Sequence, residues 1–326
     1  MPPWPYFFPE DISRVSSVLE SGKINYWTGE ETKIFEKEFA QYTNSKYAIA
    51  LANGTVALEI ILDAYDIGEG DEVIVTPRSF MASVSCVVTR GAKPVFVDVN
   101  PISQNITAQT IRSAISPRTK AIIPVHLAGW PCDMDSIMDL AAKHQLIVIE
   151  DCAQAHGSFY KGRPVGSLGH AAAFSFCQDK IITTGGEGGM ITTNDHNIWD
   201  KIWSLKDHGK SYDVVHNQKH PSGFRWLHTG FGTNLRLTEM QSVLGRAGLE
   251  RLNSDIQTRR AHAEKLNQAL GHYEAIRITL PDNDIFHSYY KYYCFIKPDS
   301  LREGWSRDSI MEAISAEGIP CLVGSC

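Results

Sequence analysis

No apolar run in these 326 residues is long enough to cross a bilayer. The longest, such as residues 121–124 and 146–149, are strand-sized. Basic clusters are also missing. With 31 Lys and Arg against 37 Asp and Glu, the formal charge is −6, and no Lys/Arg-dense stripe offers itself to a phosphate backbone. The seven cysteines are scattered and none forms a C-x-x-C pair, which argues against a disulfide or zinc framework and for free thiols in a reducing cytoplasm. The first ten residues hold aromatics and prolines but no basic stretch leading into an apolar one, so no signal peptide is read there. Internal repeats and low-complexity segments are lacking, and no G-x-G-x-x-G follows the first strand-like run, which disfavours a dinucleotide-binding oxidoreductase.

What is present is alternation. Residues 46–51, 72–76, 94–99, 120–126 and 146–150 are short runs rich in Val and Ile, and helix-length segments such as 56–65 and 134–144 separate them. That order predicts an α/β fold whose mostly parallel sheet is covered on both faces. Residues 171–176 and 189–193 read as two further strands close in sequence, so a mixed sheet is expected. Upstream, 31–42 is an amphipathic helix carrying Ile34, Phe35 and Phe39 on one side. Residues 207–232 form a His-, Gly- and Ser-rich segment longer than ordinary connections. A long helical stretch then runs from beyond Arg236 to about Leu270. After it, 289–296, 307–317 and 319–323 read as strand, helix, strand, the start of a smaller α+β unit expected to be incomplete. The expected division is therefore 1–245, a large domain with an N-terminal arm, and 246–326, the long helix with a small, incomplete C-terminal domain.

Three segments carry chemistry. The run L-I-V-I-E-D ends on Asp151, which puts a carboxylate at the carboxyl end of a parallel strand, where open α/β sheets bind ligands. Taken alone, an aspartate there is most often a turn residue. Lys180 follows another apolar run, F-S-F-C-Q-D-K, and precedes the glycine-rich T-T-G-G-E-G-G. Such a lysine is by itself most often a surface residue. Together the two suit a pyridine cofactor, because a carboxylate holds a ring nitrogen protonated and a lysine can join the ring as a Schiff base. The third segment, Asn53-Gly54-Thr55 between strand and helix, makes either a phosphate nest or an ordinary helix cap.

In combination, four stretches resemble the DegT/DnrJ/StrS-type aminotransferases, enzymes of fold type I: V-H-L-A-G-W-P-C-D-M-D (125–135), I-E-D-C-A-Q-A-H-G (149–157), F-S-F-C-Q-D-K-I-I-T-T-G-G-E-G-G-M (174–190) and G-T-N-L-R-L-T-E-M-Q (232–241). The resemblance runs over residues 24–323. It implies a pyridoxal 5′-phosphate enzyme that moves an amino group from an amino acid, glutamate foremost, to a keto group on a nucleotide-linked sugar, as in polysaccharide biosynthesis. Residue by residue it implies Lys180 as the Schiff-base lysine, Asp151 on the pyridinium nitrogen and Gln154 on the ring 3-oxygen. It implies Gly54, Thr55 and Ser175 on the phosphate, Phe80 stacked on the ring, and Asn234 on the phosphate of a neighbouring subunit, hence a homodimer with shared sites. Under the same resemblance the 207–232 segment closes over the sugar nucleotide. His126 and His156 read as structural or cofactor-lining, and Trp130 with Tyr289, Tyr290, Tyr292 and Tyr293 as core or interface rather than a sugar platform. The departures are an extra glycine in T-T-G-G-E-G-G, the triplet Cys177-Gln178-Asp179 before the lysine, and the early stop. Two other readings stand beside this one: a sugar dehydratase of the same family, in which histidine replaces the lysine, and a truncated homologue without activity.

Overall fold

The computed structural model describes residues 4–220, 222 and 227–324. A seven-stranded sheet forms its centre, in the order β1 (Tyr47–Leu51), β9 (Gly189–Thr193), β8 (Ala171–Ser175), β5 (Ile147–Asp151), β4 (Thr119–Ile123), β2 (Glu72–Val75), β3 (Lys93–Phe96). β9 runs antiparallel to both its neighbours, whereas the pairs β8–β5, β5–β4, β4–β2 and β2–β3 are parallel. The mixed, mostly parallel α/β sheet expected from the alternating runs is therefore present.

Side-chain alternation explains the three layers. Ile74, Ile122, Ala172 and Phe174 enter one core, and their strand neighbours Val73, Val75, Ala121, Ile123, Ala171 and Ala173 enter the other. The first core is closed by α2 (Glu31–Tyr42), α6 (Met134–His144) and α9 (Glu239–Leu270), through Phe35, Phe39, Ile137, Leu140, Leu252 and Ile256. The second is closed by α3 (Gly54–Ala64), α4 (Ala82–Thr89) and α7 (His196–Lys206), through Leu58, Ile61, Leu62, Val87, Ile202 and Trp203. Because the strands are buried on both faces, their sequences read as continuous apolar runs.

Several expectations need correction. An unforeseen helix, α1 (Pro9–Ser21), precedes α2. Proline in its first turn and the Phe8 N–H donating to Asp11 Oδ2 at 2.9 Å are its start signals. Asp11 also pairs with Arg251 of α9 at 2.8 Å, which fixes α1 on that helix. The division expected at 245/246 falls inside α9, a continuous helix whose Arg246 binds Glu38 and Glu31 of α2, so helix and not linker joins the two parts.

Of the strand expected over 289–296, only β12 (Cys294–Ile296) forms, paired with β10 (Ile276–Ile278). The tyrosines before it take an irregular path. Tyr289 has a positive φ of 50°, and the amides of Ser288 and Lys291 bond the Gly129 and Ala128 carbonyls instead of a strand neighbour. Residues 319–323 form no strand, because no ladder partner lies beside them; α10 (Arg307–Ala316) matches its prediction. Elsewhere the C-terminal segment returns to the large domain, where β11 (Ile285–Phe286) extends the hairpin β6 (Phe159–Tyr160) and β7 (Arg163–Pro164). The 207–232 segment contains α8 (Tyr212–His216), held by Tyr212 edge-on to Trp203 and by His216 stacked on Trp27. Residues 221 and 223–226 of that segment lie outside the described residues.

Candidate active site

The strand order brings the carboxyl ends of β8, β5, β4 and β2 to one edge, and a cavity of about 560 Å³ opens there. Gly54, Thr55, Phe80, Asp151, Gln154, Ser175 and Lys180 all line it. Asn234 does not: it is exposed and bridges Asp207 through the backbone. No described residue of the 207–232 segment lines the cavity within this chain.

The floor at one end is the start of α3. Asn53 caps this helix, its Oδ1 accepting from the Val56 N–H at 3.0 Å, while the amides of Gly54 and Thr55 begin the helix without intrahelical acceptors. The cap reading of this turn is therefore observed, and a cap on the third amide leaves the first two without an acceptor. Gly54 is required by close approach: a Cβ there would meet the Ser175 Cβ at 2.7 Å. That contact seats the helix start directly against the end of β8, beside the Ser175 hydroxyl.

Asp151 ends β5 and is buried. Its Oδ2 accepts from the Ser83 hydroxyl at 2.6 Å and its Oδ1 from the Ala153 N–H at 3.1 Å. Burial pushes its carboxyl above the ordinary value, against the pull of these two donors and of the Lys180 charge. No cationic side chain among the described residues forms an ion pair with it. A buried carboxylate in that condition favours a cationic donor arriving from the cavity. Ser83, on α4, went unnoticed in the sequence, where nothing links it to an aspartate 68 residues away.

Gln154 is oriented by a strained turn. Ala128 adopts a positive φ of 58° within the short 3-10 turn Leu127–Gly129, and its N–H donates to Gln154 Oε1 at 2.8 Å. The V-H-L-A-G-W stretch therefore fixes the amide so that Nε2 is the group left to donate toward the cavity. Phe80 stands at the mouth, 60% exposed.

Lys180 reaches in from the turn after β8, with its side chain only 14% exposed. Its Nζ lies 3.2 Å from the Tyr290 hydroxyl and 3.3 Å from Asp179 Oδ2. Tyr290, expected as core or interface, is indeed buried, yet it lines the cavity as well. Its position follows from the irregular path of the tyrosine segment.

The two histidines of the motifs are buried. His126 Nδ1 accepts from the Cys132 N–H at 3.0 Å, so Nε2 carries the hydrogen that faces Glu150 Oε2 at 3.0 Å. Glu150 also accepts from the amides of Gly166, Leu168 and Gly169, which ties the 166–169 turn to β5. His126, Glu150 and Cys152 lie close enough to hold a metal ion, but polypeptide donors already satisfy the carboxylate. His156 sits between Phe174 and Phe176, with centroids 5.7 and 5.6 Å away. Burial, helped by the Lys180 charge, pushes its pKa down to about 3.

A neutral buried histidine has a signature in stability. Its folded pKa is depressed, so the unfolded chain binds the extra proton between about pH 6.5 and 3. The associated stability is complete above pH 6.5 and is lost as pH falls through that window. Replacing His156→Leu should remove about one proton's worth of slope, roughly 1.4 kcal/mol per pH unit, from the acid limb of a denaturant-melt series. An acid limb of unchanged slope would refute the neutral assignment.

Residues 7–323 match the DegT/DnrJ/EryC1/StrS aminotransferase family. The GDP-perosamine synthase of Caulobacter vibrioides is 42% identical over 291 residues, covering 87% of this chain and 73% of that one. Among solved structures, an aminotransferase from Psychrobacter cryohalolentis is similar with a TM-score of 0.98 and 54% identity, over 99% of this chain and 84% of its own. S. venezuelae DesV, solved in complex with a ketimine intermediate, has a TM-score of 0.85 and 33% identity, over 95% and 78% of the two chains. None of the described helices is long and apolar enough to cross a membrane.

Proposed function

The chain belongs to the DegT/DnrJ/EryC1/StrS aminotransferase family, and from that membership we propose that it uses pyridoxal 5′-phosphate to transfer an amino group from an amino acid, glutamate foremost, to the keto group of a nucleotide-linked sugar. The observation that carries this reading is the placement of the Lys180 amine and the Asp151 carboxylate in one cavity, with the start of α3 at its floor. The residues present fit the cofactor. Asp151 is a buried carboxylate lacking a cation, Gly54 is a close approach that keeps two helix amides beside Ser175, and Gln154 has a single amide hydrogen-bonding end still to use. In this assignment Gly54, Thr55 and Ser175 hold the phosphate, Asp151 the ring nitrogen and Gln154 the ring oxygen, while Phe80 covers a ring face.

When bound, the cofactor supplies an electron sink for the charge left on carbon after deprotonation. Lys180 would supply the base that takes a proton from Cα of the amino donor and, in the separate half-reaction with the sugar, gives a proton to the carbon that receives the amine. Asp151 would hold the ring nitrogen, its carboxylate favouring a positive charge there. His156, neutral across the working pH range, adds no charge to this exchange.

The nucleotide-sugar substrate class is supported by relatives such as the GDP-perosamine synthase. Lys180 favours amination over the dehydration carried out by family members with histidine in its place. Asn234, exposed and absent from the lining of its own cavity, supports the reading that it serves the phosphate of a partner in a homodimer. The six cysteines described are free thiols, in keeping with a reducing cytoplasm.

A direct test loads the purified protein with pyridoxal phosphate, adds glutamate, and offers dTDP-, UDP- and GDP-linked keto-sugars with mass-spectrometric detection. An amino-sugar product from one class is expected; no product and no bound cofactor would overturn the proposal. For the shared site, dilution followed by sedimentation should release cofactor as subunits separate. A monomer that keeps its cofactor at nanomolar protein would refute it.

A further inference from the structure

We propose that Asp179 and Tyr290 are a positioning pair for the Lys180 amine, an ion-pair and hydroxyl clamp that holds this nitrogen in place and strengthens it as a base whenever it is not covalently engaged. The proposal rests on the reading of Lys180 as the working amine and adds two residues to it.

The geometry is a closed triangle. Lys180 Nζ lies 3.3 Å from Asp179 and 3.2 Å from the Tyr290 hydroxyl, and that hydroxyl donates a short hydrogen bond to Asp179 Oδ2. The two partners come from distant parts of the chain. Asp179 precedes the lysine in the turn after β8, whereas Tyr290 arrives on the segment bonded to the Leu127–Gly129 turn. Tyr290 also presents its ring to the ammonium, with Nζ 5.0 Å from the centroid. Two independent elements therefore converge on one nitrogen, which a surface lysine would not need.

Protonation is consistent with the geometry. Partial burial alone would raise the Asp179 carboxyl, but the Tyr290 hydrogen bond and the Lys180 charge outweigh it and hold it below the ordinary range. Burial, then the Asp179 hydrogen bond, pushes the Tyr290 hydroxyl well up, so it remains a donor. The partners of the amine are then a carboxylate on Asp179 and a neutral phenol on Tyr290. When the amine removes a proton from carbon, the ammonium formed is met by a charge already in place. Other charged or titratable groups facing this amine are Asp151, Glu187, Cys177 and Lys291 in the cavity wall, with neutral His156 behind it. Among the described residues, Asp179 and Tyr290 are the two that bond it.

The pair can be tested without turnover. The full chain is kept saturated with pyridoxamine phosphate, which leaves the Lys180 amine uncombined, and is labelled with acetic anhydride across pH. Peptide mass spectrometry then gives the pH midpoint for Lys180. Asp179→Asn should lower that midpoint by about one unit, equivalent to about tenfold faster labelling near pH 7.5, because only the neutral amine reacts. Asp179→Glu should restore the wild-type midpoint. Tyr290→Phe should shift it less and raise the pH-independent limit by freeing the nitrogen. Since Asp179 is 57% exposed, its variants do not threaten the core. A midpoint that stays within 0.3 units in the Asp179→Asn protein, or a Glu variant that behaves like Asn, would overturn the pair (roughly the resolution of such a titration). In that event a Lys180→Ala protein lacking the cofactor band would still uphold the proposed function, and retention of the band would remove both.

Discussion

Lys180→Ala should leave a folded protein that binds pyridoxal phosphate without the absorbance band of the lysine-linked cofactor. It should fail to exchange amine with glutamate. Loss of the lysine removes both the covalent tether and the base, so single-turnover amine transfer should fall by at least the ~10²–10⁴ that a positioned base supplies. Folding should be spared, because the side chain lines a cavity and its two bonds, to Tyr290 and Asp179, are long. A stopped-flow measurement of the glutamate half-reaction decides the matter, and turnover near the wild-type rate would remove Lys180 from the mechanism. The same variant distinguishes this chain from a homologue without activity, in which the native protein would also lack the band.

Asp151→Asn should separate binding from chemistry. The Asn Oδ1 can still accept the Ala153 N–H, and the Gly54, Thr55 and Ser175 end of the cavity is untouched, so cofactor should remain bound. A neutral amide does not hold a proton on the ring nitrogen. Deprotonation of the donor Cα should therefore slow by about 10²–10³, the range seen when one preorganised electrostatic contact is removed. Spectral titration of bound cofactor with single-turnover kinetics checks both halves. A wild-type rate constant would show that the ring nitrogen needs no charge partner here. The pH dependence has a stated sign as well. Burial raises the Asp151 carboxyl, so in the chain without a cation opposite it the carboxylate is lost on acidification earlier than an exposed aspartate would be. Pairing with a ring cation opposes that shift, and cofactor should be held less firmly as pH falls.

Much of the fold was legible because burial and backbone preference are local. Runs rich in Val and Ile marked β2, β4 and β5, and apolar runs marked β1 and β8, all within three residues, while apolar spacing marked α2 and α6 at their observed bounds. Glycines and Asn53 marked the turn into α3 for the same reason, since capping needs only neighbours within three positions. The errors arose where a local pattern lost to a distant partner. The tyrosine-rich stretch 289–293 has the composition of a strand, but the amides of Ser288 and Lys291 bond the Gly129 and Ala128 carbonyls. Residues 319–323 have it too and find no ladder. The reverse failure occurred at residues 9–21, where helix signals were present in proline and acidic residues and went unread.

The candidate site divides along the same line. Asp151 at a strand end, Lys180 before a glycine turn, and Gly54-Thr55 at a helix start each follow from the residue and its immediate neighbours, and their chemistry could be named from those alone. Folding supplied their convergence on one cavity and the partners that tune them: Ser83 on Asp151, Ala128 on Gln154, Tyr290 and Asp179 on Lys180. Ser83 stands 68 residues from its aspartate and Tyr290 110 residues from its lysine. Contacts of that separation depend on strand order and on which carbonyls an irregular segment meets, and no periodicity in the chain encodes either one. Asn234 is the counterpart: the sequence names its residue type and motif, while the fold of one chain leaves it outside its own cavity.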